Sequence, residues 1–195
     1  KALRARCTAV GTLLILDEIQ TGMGRTGPLF AHETYGILPD ILTLAKGLGG
    51  GMPLGAFIAA QKVMRVLTHE PVLGHITTFG GHPVSCAAGL AALNKIIDED
   101  LLAQIPEKEA IIREVLDIPE ILELRGTGLI FAAEIGNFDQ VLRIIHACTA
   151  AGLITDWFLH CNTAIRIAPP LVISPSALRE GLQILKTVIQ SLAQG

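Results

Sequence analysis

Two charged side chains stand where short apolar segments of the sequence end. Asp17 follows the apolar run at residues 13–16, while Lys46 follows the segment 40–45 and precedes the glycine-rich stretch 47–51. A lysine amine at the end of a strand can be partly desolvated, which lowers its pKa and makes it a nucleophile towards an aldehyde. Neighbouring glycines let the backbone approach a flat ligand closely. A solvated lysine at a strand end is the alternative interpretation of the same position.

Asp17 is a candidate functional residue because of its expected position relative to Lys46. If the two apolar segments are neighbouring parallel strands, they end at the same edge of the sheet, and the carboxylate lies near the amine. A carboxylate beneath a heteroaromatic nitrogen keeps that nitrogen protonated, which is what pyridoxal phosphate needs in order to accept electrons. A loop-capping or ion-paired aspartate explains Asp17 equally well on its own.

The apolar segments that must position these side chains have the pattern of an open α/β sheet. Residues 13–16, 40–45 and 55–60 are short and almost wholly apolar, which is typical of parallel strands buried on both faces. Glycine- and proline-rich segments at 21–27 and 47–53 separate them. Strands that deliver charged residues into such loops at their carboxyl ends form the binding sites of open α/β sheets.

The pattern changes twice further along the chain. From Pro83 the apolar residues recur at helical spacing, and beyond residue 99 the sequence is typical of a smaller α+β unit. In that unit we expect a helix at 106–116, strands at 121–124 and 129–135, a helix at 138–151 capped by Asn137, a strand at 163–168, and a last helix that Ser174 caps and that ends near Ala193. The sequence therefore predicts two domains, residues 1–98 and 99–195.

Composition and charge exclude several classes of protein. The chain is 50% hydrophobic and has 15 Lys and Arg against 18 Asp and Glu, so it offers no basic surface to a nucleic acid. No apolar run approaches the roughly 20 residues of a membrane span. The first residues lack a secretion signal, so we expect a cytoplasmic protein with buried, reduced thiols. Its cysteines, which lack metal-site spacing, are Cys7, Cys86, Cys148 and Cys161.

Residues 22–27 match the G-x-G-x-x-G pattern of dinucleotide-binding loops, and Asp40 follows at a suggestive distance. That fingerprint requires a strand that turns directly into the glycines and then into a helix. Here residues 17–21 intervene, and Pro28 and Pro39 bracket the segment that should be helical. The match is therefore weak. A nicotinamide-dependent oxidoreductase is a minor alternative, and it predicts nucleotide binding.

Three longer motifs occur in order along the chain. Residues 14–27 read L-I-L-D-E-I-Q-T-G-M-G-R-T-G, with P-D-I-L-T-L-A-K at 39–46; T-T-F-G-G-H-P stands at 77–83 and I-R-I-A-P-P-L at 165–171. Together they resemble the signatures of class III aminotransferases, which are pyridoxal-phosphate enzymes of fold type I. The resemblance implies an α/β fold with part of the large domain, including a parallel-rich sheet, followed by a smaller α+β C-terminal domain.

The resemblance also implies a role for each matching residue near the cofactor. Lys46 would form the Schiff base with pyridoxal 5′-phosphate and would carry a proton between the substrate α-carbon and the cofactor. Asp17 would pair with the pyridinium nitrogen. Ile19 would pack on one face of the ring, and Gln20 would form a hydrogen bond near the 3′ oxygen.

Two further residues acquire roles only through the resemblance. Thr78 would reach the phosphate of the cofactor bound by the other subunit, so the intact enzyme would be a homodimer with shared active sites. Arg166 would hold the substrate carboxylate through a bidentate pair, a geometry that lysine cannot supply. Without the motif around it, Arg166 would be interpreted as a surface arginine on an edge strand.

The sequence departs from the family pattern in two ways. His82 replaces the asparagine that is usual in T-F-G-G-N-P, and nothing in the sequence explains the change. The family's N-terminal half, with its phosphate-binding loop and the aromatic ring that stacks on the cofactor, has no counterpart here. The chain begins like the end of a helix that leads into a strand, so we expect a fragment whose natural start lies upstream. Because Thr78 is the only phosphate contact left, we expect weak binding of the cofactor.

The resemblance implies transfer of an amino group from acetylornithine or ornithine to 2-oxoglutarate, without a metal, a nucleic acid or a membrane. Residues 17–27 with Phe30 and Ala31 look most similar to the acetylornithine and ornithine enzymes, and Gln20 argues against the diaminopelargonate branch. The alternatives are an aminotransferase for 4-aminobutyrate or another ω-amino acid, and a catalytically inactive folded remnant that associates through exposed sheet edges.

Overall fold

The computed structural model describes residues 1–193, which form two compact units, one of Lys1–Leu102 and one that begins at Ala103. The first unit contains three strands and three α-helices. In chain order these are α1 (Ala2–Val10), β1 (Ile15–Asp17), β2 (Ile41–Leu44), β3 (Ala56–Ala59), the short α2 (Gln61–Met64) and α3 (Pro83–Asp98). Short 3-10 helices at Ala31–Tyr35, Lys46–Gly49 and Arg65–Thr68 connect them.

The three strands form one mixed sheet in the order β1-β2-β3. β1 runs parallel to β2, with Asp17 opposite Thr43, whereas β3 runs antiparallel to β2, with Ala56 opposite Leu44. Asp40 fixes this register, because its carboxylate accepts a hydrogen bond from the backbone N–H of Leu14 at 2.7 Å. The three strands predicted from apolar runs are therefore confirmed, and one of the two pairings is parallel.

The prediction that these strands are buried on both faces was wrong. Burial in β2 alternates, with Leu42 and Leu44 buried and their neighbours half-buried, and Ile15 of β1 is 56% exposed. The alternation in β2 shows that other residues of this unit cover one face of the sheet better than the other, and β1 and β3 are largely exposed on both faces. The apolar composition of the strands predicted their existence but not the layers that cover them.

Glycines let α3 pack closely against the turn that follows β2. A Cβ atom on Gly50 would lie 2.6 Å from the carbonyl oxygen of Ala88, and one on Gly89 would lie 2.8 Å from the carbonyl oxygen of Leu48. Real side-chain carbons do not approach backbone oxygens so closely. The turn that begins at Lys46 is therefore held against α3 by a backbone approach that only glycine permits.

The second unit is a four-stranded antiparallel sheet covered by helices. Its elements are α4 (Ile105–Val115), β4 (Glu123–Thr127), β5 (Ile130–Glu134), α5 (Phe138–Ala150), β6 (Asp156–Phe158), β7 (Cys161–Ile167) and α6 (Pro175–Ala193). The strand order is β4-β5-β7-β6. α5 packs on β7, and α6 lies against α4 and α5. Phe131, Ile144 and Ile165 are completely buried in the core.

Most helices and strands of this unit overlap the segments that local sequence signals predicted. Asn137 accepts a hydrogen bond from the backbone N–H of Gln140 at 3.0 Å, and the Ser174 hydroxyl accepts one from that of Ala177 at 3.2 Å, so both predicted caps are confirmed. The three-residue strand β6 was not predicted.

All four cysteines are free, but the prediction that all of them are buried was wrong. Cys7 and Cys148 are buried and Cys161 is half-buried, whereas Cys86 is exposed. Cys86 lies outside the buried face of α3, which carries Ser85, Gly89 and Ile96. Burial raises the pKa of the Cys148 thiol to about 11. No helix among residues 1–193 is both long enough and apolar enough to cross a membrane.

Candidate functional site

Lys46 occupies a strained position at the start of a tight turn. Its backbone φ of 47° is in the left-handed region, which residues other than glycine rarely adopt. The preceding residue, Ala45, is still extended, so the chain reverses direction at the lysine itself. Lys46 is exposed in this structure. Strain of this kind persists only where the surrounding packing enforces it. Here the close approaches of Gly50 to Ala88 of α3, and of Gly89 of α3 to Leu48, do so.

Asp17 stands at the carboxyl end of the parallel neighbour strand. Its carboxylate accepts a hydrogen bond from the backbone N–H of Ile19 at 2.9 Å, which orients the side chain at the point where β1 ends. Ile19 is half-buried, and Gln20 is exposed in the turn that follows. The structure thus brings Asp17, Ile19 and Gln20 together at one end of β1.

The register of the sheet sets the separation between Asp17 and Lys46. Asp17 pairs with Thr43, and Lys46 lies three residues further along the neighbouring chain segment. Strand spacing and rise per residue then give a separation of about 10 Å between the two Cα atoms. Within residues 1–193, neither side chain takes part in an ion pair.

The acidic neighbour of Asp17 is a functional candidate that the sequence reasoning missed. Glu18 is only 4% exposed, and its carboxylate accepts hydrogen bonds from the backbone N–H groups of Ala31 and His32. The His32 Nδ1 atom lies 2.9 Å from the same carboxylate. The partners are 13 and 14 residues away in sequence, so no local signal could have revealed them.

Thr78 lies in a separate exposed loop of the first unit. The loop is a series of turns in which the Gly80 N–H donates to the Thr77 carbonyl oxygen at 3.2 Å. His82 precedes α3 as its N-cap residue but does not cap it with its side chain, and Pro83 occupies the first turn of the helix. The predicted contact of Thr78 with a cofactor phosphate remains a prediction.

Arg166 lies in the second unit, on β7, between β5 and β6. The alternative interpretation as an arginine on an edge strand is therefore wrong. Its guanidinium donates to the Asp156 carboxylate at 3.2 Å, and both side chains are substantially exposed. Asp156 is a partner that the sequence reasoning missed, because it belongs to the unpredicted strand β6.

A buried lysine forms a hydrogen bond with the segment that follows Arg166. Lys108 of α4 is 1% exposed and donates to the Leu171 carbonyl oxygen at 2.6 Å and to the Gln104 side chain at 3.1 Å. Burial lowers the pKa of Lys108. This contact anchors the proline-rich turn between β7 and α6.

The glycine segment 22–27 lies in turns and is followed by the 3-10 helix Ala31–Tyr35 rather than by an α-helix. These residues therefore lack the strand–turn–helix context of a dinucleotide fingerprint, in agreement with the weak match in the sequence. Residues 1–193 also contain no cluster of side chains suited to a metal ion.

The profile of one protein family, aminotransferase class-III, matches residues 1–189. The chain belongs to this family. It is 38% identical to the acetylornithine aminotransferase of Caldanaerobacter subterraneus subsp. tengcongensis over 197 residues, which are 98% of this chain and 48% of that protein. It is 43% identical to the putrescine aminotransferase of Pectobacterium atrosepticum over 202 residues, covering 98% of this chain and 42% of the relative.

The solved structures to which this chain is similar include aminotransferases as well. The N-acetylornithine aminotransferase of Stenotrophomonas maltophilia aligns with a TM-score of 0.84 and 32% identity, covering 98% of this chain and 50% of that chain. The ornithine aminotransferase of Toxoplasma gondii, described with partial occupancy of PLP at its active site, aligns with a TM-score of 0.85 and 32% identity, over 96% and 45% of the two chains. The fold is that of fold type I pyridoxal-phosphate enzymes. The chain spans about half the length of the relatives that it matches.

The residues present fit the family's cofactor, pyridoxal 5′-phosphate, at its ring. The exposed amine of Lys46 and the oriented carboxylate of Asp17 stand at neighbouring strand ends, with the half-buried Ile19 beside them. An amine that attacks an aldehyde and a carboxylate that pairs with a ring nitrogen are the two groups that this cofactor requires.

Proposed function

We propose that this chain is the lysine-bearing part of a pyridoxal-phosphate-dependent aminotransferase. The observation that carries the proposal is the pairing of Asp17 with Thr43, which puts Asp17 and Lys46 at adjacent ends of parallel strands. Family membership supports it, since the family profile spans residues 1–189. The first unit is then part of the cofactor-binding domain, and the second is the small domain.

The proposed mechanism assigns a distinct task to each side chain. Bound pyridoxal phosphate supplies an electron sink for the carbanion that forms at the substrate α-carbon. The Lys46 amine is the group that would hold the cofactor covalently, and as a free amine it would serve as the base that carries the proton of the substrate α-carbon. The Asp17 carboxylate keeps the ring nitrogen protonated. Ile19 excludes water from one ring face, and Gln20 orients the 3′ oxygen.

We propose that Arg166 binds the substrate carboxylate by a charge-assisted, bidentate pair. Asp156 holds the guanidinium in place through its contact at 3.2 Å. Because this ion pair is about half exposed on each side, a substrate carboxylate can displace Asp156 at small cost. Thr78 binds a cofactor phosphate across the interface of a homodimer.

For the amino donor we propose acetylornithine or ornithine, with 2-oxoglutarate as the acceptor. The acetylornithine aminotransferases among the relatives support this class of donor. A diamine such as putrescine is the second candidate, because the P. atrosepticum relative is 43% identical. The four free cysteines fit a reducing compartment, and we place the reaction in the cytoplasm.

A chimeric enzyme tests the proposal. This chain replaces the 197 matching residues of the C. subterraneus acetylornithine aminotransferase, and the chimera is assayed with acetylornithine, ornithine, putrescine and 4-aminobutyrate, each with 2-oxoglutarate. We expect transamination of an ornithine-type donor that is lost in Lys46→Ala. Activity with putrescine alone would show that the amino donor is a diamine, the second candidate. A folded dimeric chimera without activity on any donor would favour the alternative of a catalytically inactive remnant.

A further inference from the structure

Glu18 is a buried carboxylate with no task in the proposed mechanism. It receives three hydrogen bonds: from the backbone N–H of Ala31 at 2.5 Å, from that of His32 at 2.9 Å, and from the His32 ring at 2.9 Å. The His32 ring is itself stacked on Phe30, with 5.8 Å between ring centroids. A carboxylate offers only acceptors, so it matches these three donors.

These contacts close a loop. Glu18 stands at the end of β1, between Asp17 and Ile19, and its partners lie where the 3-10 helix Ala31–Tyr35 begins. The residues between them, 19–30, are therefore tied down at both ends. At the start of the loop the Gly22 N–H donates to the Glu18 carbonyl oxygen at 2.9 Å.

The same loop reaches the turn that carries Lys46. Met23 is 5% exposed and has a left-handed backbone, with φ of 59°. A Cβ atom on Gly47 would lie 3.3 Å from the Met23 Cβ atom, so the loop rests directly on the residue after Lys46. The closed loop thus touches both sides of the site, at Asp17 through the chain and at Lys46 through Met23.

We propose that Glu18 and His32 form a positioning pair for the cofactor site. By closing the 19–30 loop, the pair fixes Ile19 and Gln20 beside Asp17 and holds Met23 against the lysine turn. Neither residue touches the reacting atoms. The effect on the cofactor rests on the proposed function, whereas the closure of the loop does not.

The chain offers matched variants. Glu18→Gln removes one negative charge and replaces one of the two acceptor oxygens by an NH₂ group, which cannot accept from the donors that it faces. Glu33→Gln removes the same charge from the same segment, but the exposed Glu33 only accepts from the Phe30 N–H at 3.1 Å and does not reach β1. His32→Ala deletes the ring donor, while His32→Asn keeps an N–H donor near the position of Nδ1.

Two measurements on the 195-residue chain test the pair. Hydrogen exchange without cofactor reports the closure of the 19–30 loop, with α3 as the internal reference. Titration with pyridoxal phosphate, followed by the visible absorbance that depends on Lys46, reports the dissociation constant. We expect Glu18→Gln and His32→Ala to speed exchange in the loop and to weaken cofactor binding by about tenfold or more, since hydrogen bonds to a buried charge are lost. His32→Asn should largely restore both values, and Glu33→Gln should leave them unchanged.

Each outcome decides a separate point. Unchanged exchange in Glu18→Gln, or equal effects of Glu18→Gln and Glu33→Gln, would overturn the positioning pair. Faster exchange in both the loop and α3 would also overturn it, because the role of Glu18 would then be general stability. If the unsubstituted chain binds no pyridoxal phosphate, the binding part of the proposed function fails for the isolated chain, and the exchange data still decide whether the pair closes the loop.

Discussion

Substitution of Gly89 by alanine tests the close packing that holds the lysine turn. On helix propensity alone, Gly89→Ala in the interior of α3 should stabilise the protein by about 1 kcal/mol. The structure predicts the opposite sign. The new Cβ atom would lie 2.8 Å from the Leu48 carbonyl oxygen and 2.7 Å from the Leu54 side chain. The leucine can rotate away, but the backbone oxygen belongs to the turn that begins at Lys46.

The expected magnitude follows from two opposing terms. Forcing a methyl group into a closely packed contact costs about 1–3 kcal/mol. Subtracting the gain of about 1 kcal/mol from helix propensity leaves a net destabilisation of about 0–2 kcal/mol. Part of this cost can be relieved if the turn moves. Movement of the turn would displace Lys46, so weaker binding of pyridoxal phosphate should accompany the loss of stability.

Gly181 in α6 provides the matched control. A Cβ atom there would lie 3.4 Å from the Leu153 side chain, an ordinary contact, so Gly181→Ala should gain the full propensity term of about 1 kcal/mol. For a unit of about 100 residues this raises the melting temperature by about 4–8 °C. Fluorescence of Trp157, the only tryptophan, follows the second unit, and hydrogen exchange of α3 follows the first. Equal stabilisation by the two substitutions would refute the packing argument.

Substitutions at three positions test the second unit, each followed by unfolding in denaturant. Phe131→Ala should destabilise it by about 3–5 kcal/mol, because the ring is completely buried; a loss below 1 kcal/mol would contradict the core described here. Asn137→Ala should cost about 1 kcal/mol by removing the cap on the Gln140 N–H, whereas Asn137→Asp should retain most of it. Hydrogen bonds from Thr163 and Arg125 lower the pKa of Glu134. The ionised Glu134 therefore stabilises the folded state at neutral pH, and this stabilisation is lost as the pH falls through the lowered pKa of the folded state. Glu134→Gln should therefore flatten the acid limb of the stability profile, and an unchanged limb would count against this assignment.

Signals within a few residues of each other predicted much of the fold. The caps at Asn137 and Ser174 are local, and so are the apolar runs that became β1 and β2. The motif residues Asp17 and Lys46 could also be identified, because each stands next to its own strand end.

Non-local features could not be predicted in the same way. The antiparallel direction of β3 and the three-residue strand β6 depend on pairing with distant segments. The hydrogen bonds of Glu18 span 13 and 14 residues, and the partner of Arg166 lies on the unpredicted strand β6. Burial was misjudged at Ile15 because an apolar run does not show whether another layer covers it.

The most direct test of the central claim locates the lysine that bonds to the cofactor. The chain is incubated with pyridoxal phosphate, borohydride fixes the cofactor to any lysine that has bonded to it, and mass spectrometry measures the occupancy of each of the lysines, Lys1, Lys46, Lys62, Lys95, Lys108 and Lys186. We predict preferential labelling of Lys46, reduced in Asp17→Asn, with the other lysines unaffected. Labelling no greater at Lys46 than at the exposed Lys95, and insensitive to Asp17→Asn, would contradict the account.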